Sequence, residues 1–279
     1  MVNVTECKIL IPTYPEPAAE EMPMFAENRV HQRTNGNPYP NHIVLEVDRS
    51  YKEERKYTCI RLENEYLRIE ILPELGGKIY SAYDKTTGYD FFYKQHVIKP
   101  ALIGCLGSWV SGGLEFNWPF HHRASTFMPV DYYIERKKDG SAIVWLSEHD
   151  PIERMKGMVG VVLKPKEARF ETRMKLCNRT PVTNSFLWWE NAAVPVNKRY
   201  QIFYPKDVSY VNFHYKRSVT TYPIATNALG VFNGIRYNGE TDISMHKNTI
   251  QPTSYFCAPS KYDFFGGFDH GKGCGVVHI

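Results

Sequence analysis

Between Gly107 and Arg123 the chain places two tryptophans, Trp109 and Trp118, beside Glu115, Asn117, His121, His122 and Arg123. A purely structural core would not need so many polar groups among so many rings, because buried polar groups cost free energy unless paired. Sugars present hydroxyl edges and apolar faces together. A carboxylate, an amide and an arginine suit the hydroxyls, and a tryptophan suits the face. Gly112-Gly113 would let the backbone approach a ligand closely. Adjacent His121-His122 is a poor metal pair, since neighbours in an extended chain point to opposite faces. One of them is expected to line a site while the other packs, and no metal is expected.

The second group is Trp188-Trp189-Glu190-Asn191. On a strand, Trp188 and Glu190 face one way and Trp189 and Asn191 the other. A glutamate in an apolar run must be exposed, paired or functional. An apolar wall raises a carboxyl pKa, which suits a general acid. The third group is Asp269-His270 between glycines, either a polar loop over a cleft or an ordinary turn in which Asp269 bonds its own backbone.

Three chemistries follow. Glu115 and Glu190, with His121, could form a glycoside hydrolase site; such pairs stand about 5–5.5 Å apart for retention or 6.5–9.5 Å for inversion. An aldose epimerase needs only an acid, His121 or His122, and a carboxylate base. A non-catalytic carbohydrate-binding module would use Trp118 and Trp189 as platforms. In each case Asn117, Trp118, His122, Arg123, Trp189, Asn191, Asp269 and His270 are the expected sugar contacts. The partner is a mono- or oligosaccharide and no cofactor is required. A structural domain with an aromatic-rich core is the remaining alternative.

The elements that must hold these residues read as strands. Leu67, Ile69 and Ile71 alternate with charged neighbours until Pro73-Glu74-Leu75-Gly76-Gly77 interrupts, and Lys78 to Tyr83 resumes the run. Ala168, Phe170, Thr172, Met174 and Leu176 alternate with Arg169, Glu171, Arg173 and Lys175 over nine residues, which predicts a half-buried strand. Ala142–Leu146, Met158–Leu163, Ser185–Val196, Tyr200–Tyr204 and 230–232 also read as strands. No long amphipathic helix appears. Residues 1–42 hold six prolines and predict an extended arm with a short edge strand near Val4 to Ile11. Residues 43–279 are expected to form one all-β sandwich. The sequence stops in a strand-like run, Gly273 to Ile279, so final strands are expected beyond it.

The charge of +4, from 34 basic and 30 acidic residues, comes with no basic block fit for nucleic acid. Arg136-Lys137-Lys138 precedes Asp139-Gly140 and reads as a hairpin turn. No apolar stretch is long enough to span a membrane, and the N-terminus lacks a secretory pattern. The six cysteines form no CxxC pair and read as reduced core thiols of a cytoplasmic protein. Phosphate-loop, nucleophile-elbow and dinucleotide patterns are absent.

The stretch Glu65 to Lys85, with its Gly76-Gly77-Lys78-Ile79 turn, resembles the opening of galactose-mutarotase-like domains. Asn178 to Ser185, with Thr180-Pro181, is similar to a later turn and strand of that superfamily. Gly112 to His122, Trp188 to Pro195 and Gly266 to His270 resemble an uncharacterised bacterial branch, a domain of unknown function found ahead of tetratricopeptide repeats. The resemblance implies a supersandwich of antiparallel sheets with a sugar cleft on a concave face, and a further C-terminal domain of tetratricopeptide type. Two departures stand out. Leu187 to Glu190 occupy the neighbourhood where mutarotases carry a histidine, and their late glutamate base would lie beyond Ile279.

Overall fold

A computed structural model describes residues 1–16, 48–102, 108–119, 126–150, 154–213, 219–225, 231–232, 235–236, 240–249, 254–257 and 259–279. The chain divides into two compact units, Met1–Val194 and Pro195–Ile279.

The first unit is a sandwich of antiparallel sheets. Its larger sheet contains β1 (Asn3–Thr13), β2 (Glu53–Glu63), β3 (Leu67–Leu72), β4 (Lys78–Asp84) and β5 (Tyr89–Asp90). A ribbon of β6 (Ala101–Leu102) and β7 (Ser108–Trp109) precedes β8 (Leu114–Asn117). The smaller sheet is built from β9 (Asp131–Arg136), β10 (Ala142–His149), β11 (Met155–Leu163) and β12 (Phe170–Asn178), and β13 (Trp189–Ala192) returns to the larger one. The seven-stranded order is β1-β2-β3-β4-β8-β13, with β5 on β4; the four-stranded order is β12-β11-β10-β9.

Alternation along the strands makes the core. Ile60, Leu62, Leu67, Ile69, Ile71, Ile79, Leu114 and Phe116 of the larger sheet meet Val144, Leu146, Val159, Val161 and Leu163 of the smaller. The other face of the larger sheet is also covered at one end, where Tyr57, Cys59, Leu72 and Tyr80 pack with Ile98, Val110 and Phe127. Strands covered on both faces read as near-continuous apolar runs rather than alternating ones. Pro73–Leu75 becomes a 3₁₀ turn, and Gly76 and Gly77 take φ of 68° and 69°. That conformation favours glycine, which explains the pair at this sharp reversal.

Several expectations are refined. The edge strand of the N-terminal arm runs 11 residues and pairs with β2 along its whole length. Within Ser185–Val196 only Trp189–Ala192 is strand. The Lys137–Gly140 hairpin turn is present, with the Asp139 carboxylate accepting from the Ser141 N–H at 2.9 Å. Cys59 is fully buried, but Cys177 and Cys257 are exposed, so the thiols are not uniformly core residues. Cys177 is the penultimate residue of the edge strand β12, most of whose residues are exposed or only partly covered.

The second unit contains β14 (Tyr200–Phe203), β15 (Tyr210–Phe213), β16 (Val219–Thr221), β17 (Ile224–Ala225), β18 (231–232), β19 (235–236), β20 (Thr241–Asp242), β21 (Tyr255–Cys257), β22 (Phe265–Asp269) and β23 (Cys274–His278). Two three-stranded sheets, β14-β22-β23 and β16-β15-β21, carry it, with Val208, Val211, Ala225 and Ile243 as its small core. Among the described residues no helix is long and apolar enough to cross a membrane.

Candidate functional site

Strand β8 carries the site. Leu114 and Phe116 point into the sandwich core, so Glu115 and Asn117 point to the opposite face of the larger sheet. The antiparallel register sets Asn191 opposite Glu115, Glu190 opposite Phe116 and Trp189 opposite Asn117. Residues directly opposite share a face. Glu115, Asn117, Trp189 and Asn191 are therefore brought together.

Glu115 is 3% exposed and Asn117 is sealed. Burying a carboxylate needs compensating donors, and they are present. The Trp109 Nε1–H donates to Oε2 at 2.5 Å. The Asn191 and Asn117 side-chain amides donate to Oε1 at 2.9 and 3.1 Å. Charge-assisted bonds of this kind are about twice as strong as neutral ones. The result is a polar floor, with the half-buried Trp109, Trp189 and Asn191 rising from it.

The approach to β8 is held from below by Lys78. Its buried ammonium donates to the carbonyls of Val110 and Gly112, at 2.5 and 2.8 Å. Gln95 Nε2 donates to Ser111 Oγ at 2.5 Å. Burial pushes the Tyr80 hydroxyl up to about 12, aided by the negative charge of Glu70. The hydroxyl stays protonated and donates to the Gln95 carbonyl at 2.5 Å. On the same face Glu70 is bonded by Arg61 at 2.9 Å and Lys94 at 3.0 Å. Burial pushes the Glu70 carboxyl up, but Lys94 and Arg61 outweigh it and hold the group below the usual range. Lys78, Tyr80, Lys94 and Gln95 are supports that the sequence reading missed. The Lys78 in Gly-Gly-Lys was visible, but its role depends on carbonyls 32 and 34 residues away.

Three expectations are corrected, and for Asp269 the ordinary-turn alternative is the one observed. Glu190 sits on the face of Phe116, away from Glu115, so the two carboxylates are not a facing pair and cannot flank one glycosidic bond. Trp118 is 1% exposed, and its ring lies on Gly157 of β11, where even a Cβ would come within 2.2 Å of it. It is a core residue and offers no platform. Gly112 and Gly113 serve the protein's own backbone: a Cβ at Gly113 would stand 2.2 Å from the Ile79 carbonyl oxygen. Asp269 ties the β22–β23 turn, accepting from the Gly271 N–H at 2.8 Å and Asn197 Nδ2 at 2.7 Å. Burial pushes its carboxyl up, yet the bonds from Gly271 and Asn197 prevail and lower it. Its neighbour His270 is exposed and bonds Gln201 at 2.7 Å.

His121, His122 and Arg123 lie outside the described residues. Trp188 packs against the core and stacks on Phe116 with centroids 6.2 Å apart. Among the described residues no three His, Cys, Asp or Glu side chains gather in a way that could hold a metal ion.

The fold and the Glu115 cluster define a β protein whose first unit is a sandwich with a polar, tryptophan-flanked floor on one sheet face. Residues 34–279 match the family described as domain of unknown function DUF5107, and the chain belongs to that family. It is also similar to the crystal structure of a TPR-domain containing protein from Parabacteroides distasonis, at a TM-score of 0.78 and 22% identity. That match covers 100% of this chain and 44% of the other, so this chain spans less than half of its neighbour's length.

Proposed function

We propose that this chain is a carbohydrate-recognition domain of galactose-mutarotase-like architecture. Its sugar site is the face that carries Glu115, Asn117, Asn191, Trp109 and Trp189. One observation carries the reading: a buried carboxylate and two amides are bonded into one cluster beside two half-buried indoles. The partly exposed Asn191 amide can bond sugar hydroxyls and an indole covers an apolar ring face, while the buried Glu115 and Asn117 hold these side chains in place.

Recognition is favoured over hydrolysis because Glu190, the second carboxylate that hydrolysis would use, projects from the other face. The TPR-domain neighbour supports a further domain of that type in the full protein. Titration calorimetry against a panel of neutral mono- and disaccharides tests the proposal. Saturable binding is expected for at least one sugar. Asn191→Ala should weaken it about tenfold, the worth of one or two hydrogen bonds. No binding across the panel, or unchanged affinity in Asn191→Ala, would overturn it. Release of reducing ends from a bound disaccharide would show hydrolysis instead.

A further inference from the structure

A second gathering of aromatic and charged groups lies on the four-stranded sheet, on the side away from the core. There Ile143, Trp145 and Val162 form their own apolar cluster with Met158. The Trp145 indole is fixed from three directions. Its lower face rests on Gly160, where an added Cβ would come within 2.7 Å of the ring. Its Nε1–H donates to Glu135 Oε2 at 2.9 Å. The Lys175 ammonium sits over the ring, 4.7 Å from a ring centroid. Around the indole runs a trough of about 730 Å³, lined also by Tyr133, Met158 and Arg173. A smaller hollow of about 220 Å³ shares Tyr133, Trp145 and Met158 with it. The volume of the larger trough falls in the range of small-molecule sites.

The charge around the trough is unbalanced. Lys137, Arg173 and Lys175 face one lining carboxylate, Glu135. That carboxylate is engaged at both oxygens, by Lys137 and by Trp145. Arg173 uses Nη2 on Glu171 at 3.1 Å. Lys175 makes no ion pair among the described residues; its close partner is the indole face. A bare anion would have no use for the apolar floor. A neutral sugar would find the indole capped by an ammonium. A ligand with both a carboxylate and a flat apolar face satisfies each feature, because its carboxylate draws Lys175 off the ring as its face takes Lys175's place.

We propose that this trough is a second ligand site, for a uronic acid residue of an oligosaccharide. Lys175 and Arg173 meet the carboxylate and Trp145 carries the ring. The site does not depend on the Glu115 cluster.

Tetragalacturonate, its fully methyl-esterified form and tetraglutamate are titrated into the whole chain, with affinity read by calorimetry. Tetragalacturonate should bind saturably, and at least about tenfold more tightly than the ester and the peptide. Lys175→Met should weaken it about tenfold, the scale of a charge-assisted hydrogen bond. Raising the salt should weaken it as well. Trp145→Phe, checked for a native circular dichroism spectrum, should also weaken it, and Asn191→Ala should not. The proposal is overturned by absent binding, by equal binding of the ester, by tetraglutamate binding as tightly (charge alone), or by unaltered affinity in Lys175→Met.

Discussion

Strand β11 presents one glycine to each face of its sheet, and each glycine makes room for a tryptophan. Gly157 to alanine would place a methyl carbon 2.2, 2.3 and 2.8 Å from Cζ2, Cε2 and Cη2 of Trp118. Carbon atoms prefer separations of about 3.5–4.0 Å, so ring and strand must part by more than ~1 Å. Trp118 is 1% exposed and its surroundings are packed. Overpacking of this kind costs about 1–3 kcal/mol, and the upper end, about 3 kcal/mol, is expected. Gly160→Ala is milder. Its closest approaches to Trp145 are 2.7, 2.8 and 3.0 Å, and that ring can lift outwards against the Lys175 side chain. About 1 kcal/mol is expected there. The assay is urea unfolding followed by fluorescence. With a slope of about 2 kcal/mol/M, the two midpoints should differ by about 1 M. If Gly157→Ala is no more destabilising than Gly160→Ala, Trp118 is free to move and its assignment to the core is wrong.

Two further predictions concern buried carboxylates. Glu70→Gln leaves Arg61 and Lys94 facing a neutral group and should cost about 3 kcal/mol by urea melts, as when one partner of a buried pair is removed. The folded pKa of Glu70 lies below its unfolded value. Its contribution is therefore complete above the unfolded value near 4.5 and disappears as pH falls through the lower folded value. The difference in urea midpoint between wild type and Glu70→Gln should accordingly shrink from pH 7 to pH 3. An unchanged difference at pH 3 would refute this. In the second unit, Asp269→Ala removes the acceptor for Gly271 and Asn197 and should cost about 2 kcal/mol. Faster amide hydrogen exchange at 270–273 is expected, and unchanged exchange would contradict the turn assignment.

The sheets were legible where charged residues alternate with apolar ones or where strand-forming residues run on continuously. Leu67 to Ile71 and Ala142 to Leu146 show the strand signal directly, and Asp139-Gly140 marks its hairpin. β1 was only half legible, because Pro12 and the prolines that follow it hide a strand whose edge position tolerates Pro12. β2 lacks alternation because Tyr57 and Cys59 are buried on one face while Ile60 and Leu62 are buried on the other. The division at Val194–Pro195 has no counterpart in the composition.

For the site, residue types suggested Glu115, Asn117, Trp189 and Asn191 as polar and aromatic candidates, and the strand register brings these four onto one face. Their partition between sheet faces was beyond the sequence, because it depends on the pairing of β13 with β8 across more than 70 residues. That pairing separates Glu190 from Glu115. Trp118 illustrates the same limit, since a glycine on another sheet decides that it is core. The Trp145 trough was missed because its tryptophan sits within an ordinary-looking apolar run, Ala142 to Leu146.

The central claim is that a sugar seats itself between Trp109 and Trp189 above Glu115. Indole N–H resonances of the five tryptophans, assigned by single substitutions and followed during titration with a neutral sugar that calorimetry shows to bind, report on it directly. Saturable shifts are predicted for Trp109 and Trp189, with Trp118 and Trp188 unmoved. Shifts confined to other tryptophans, or none at all, would contradict the account.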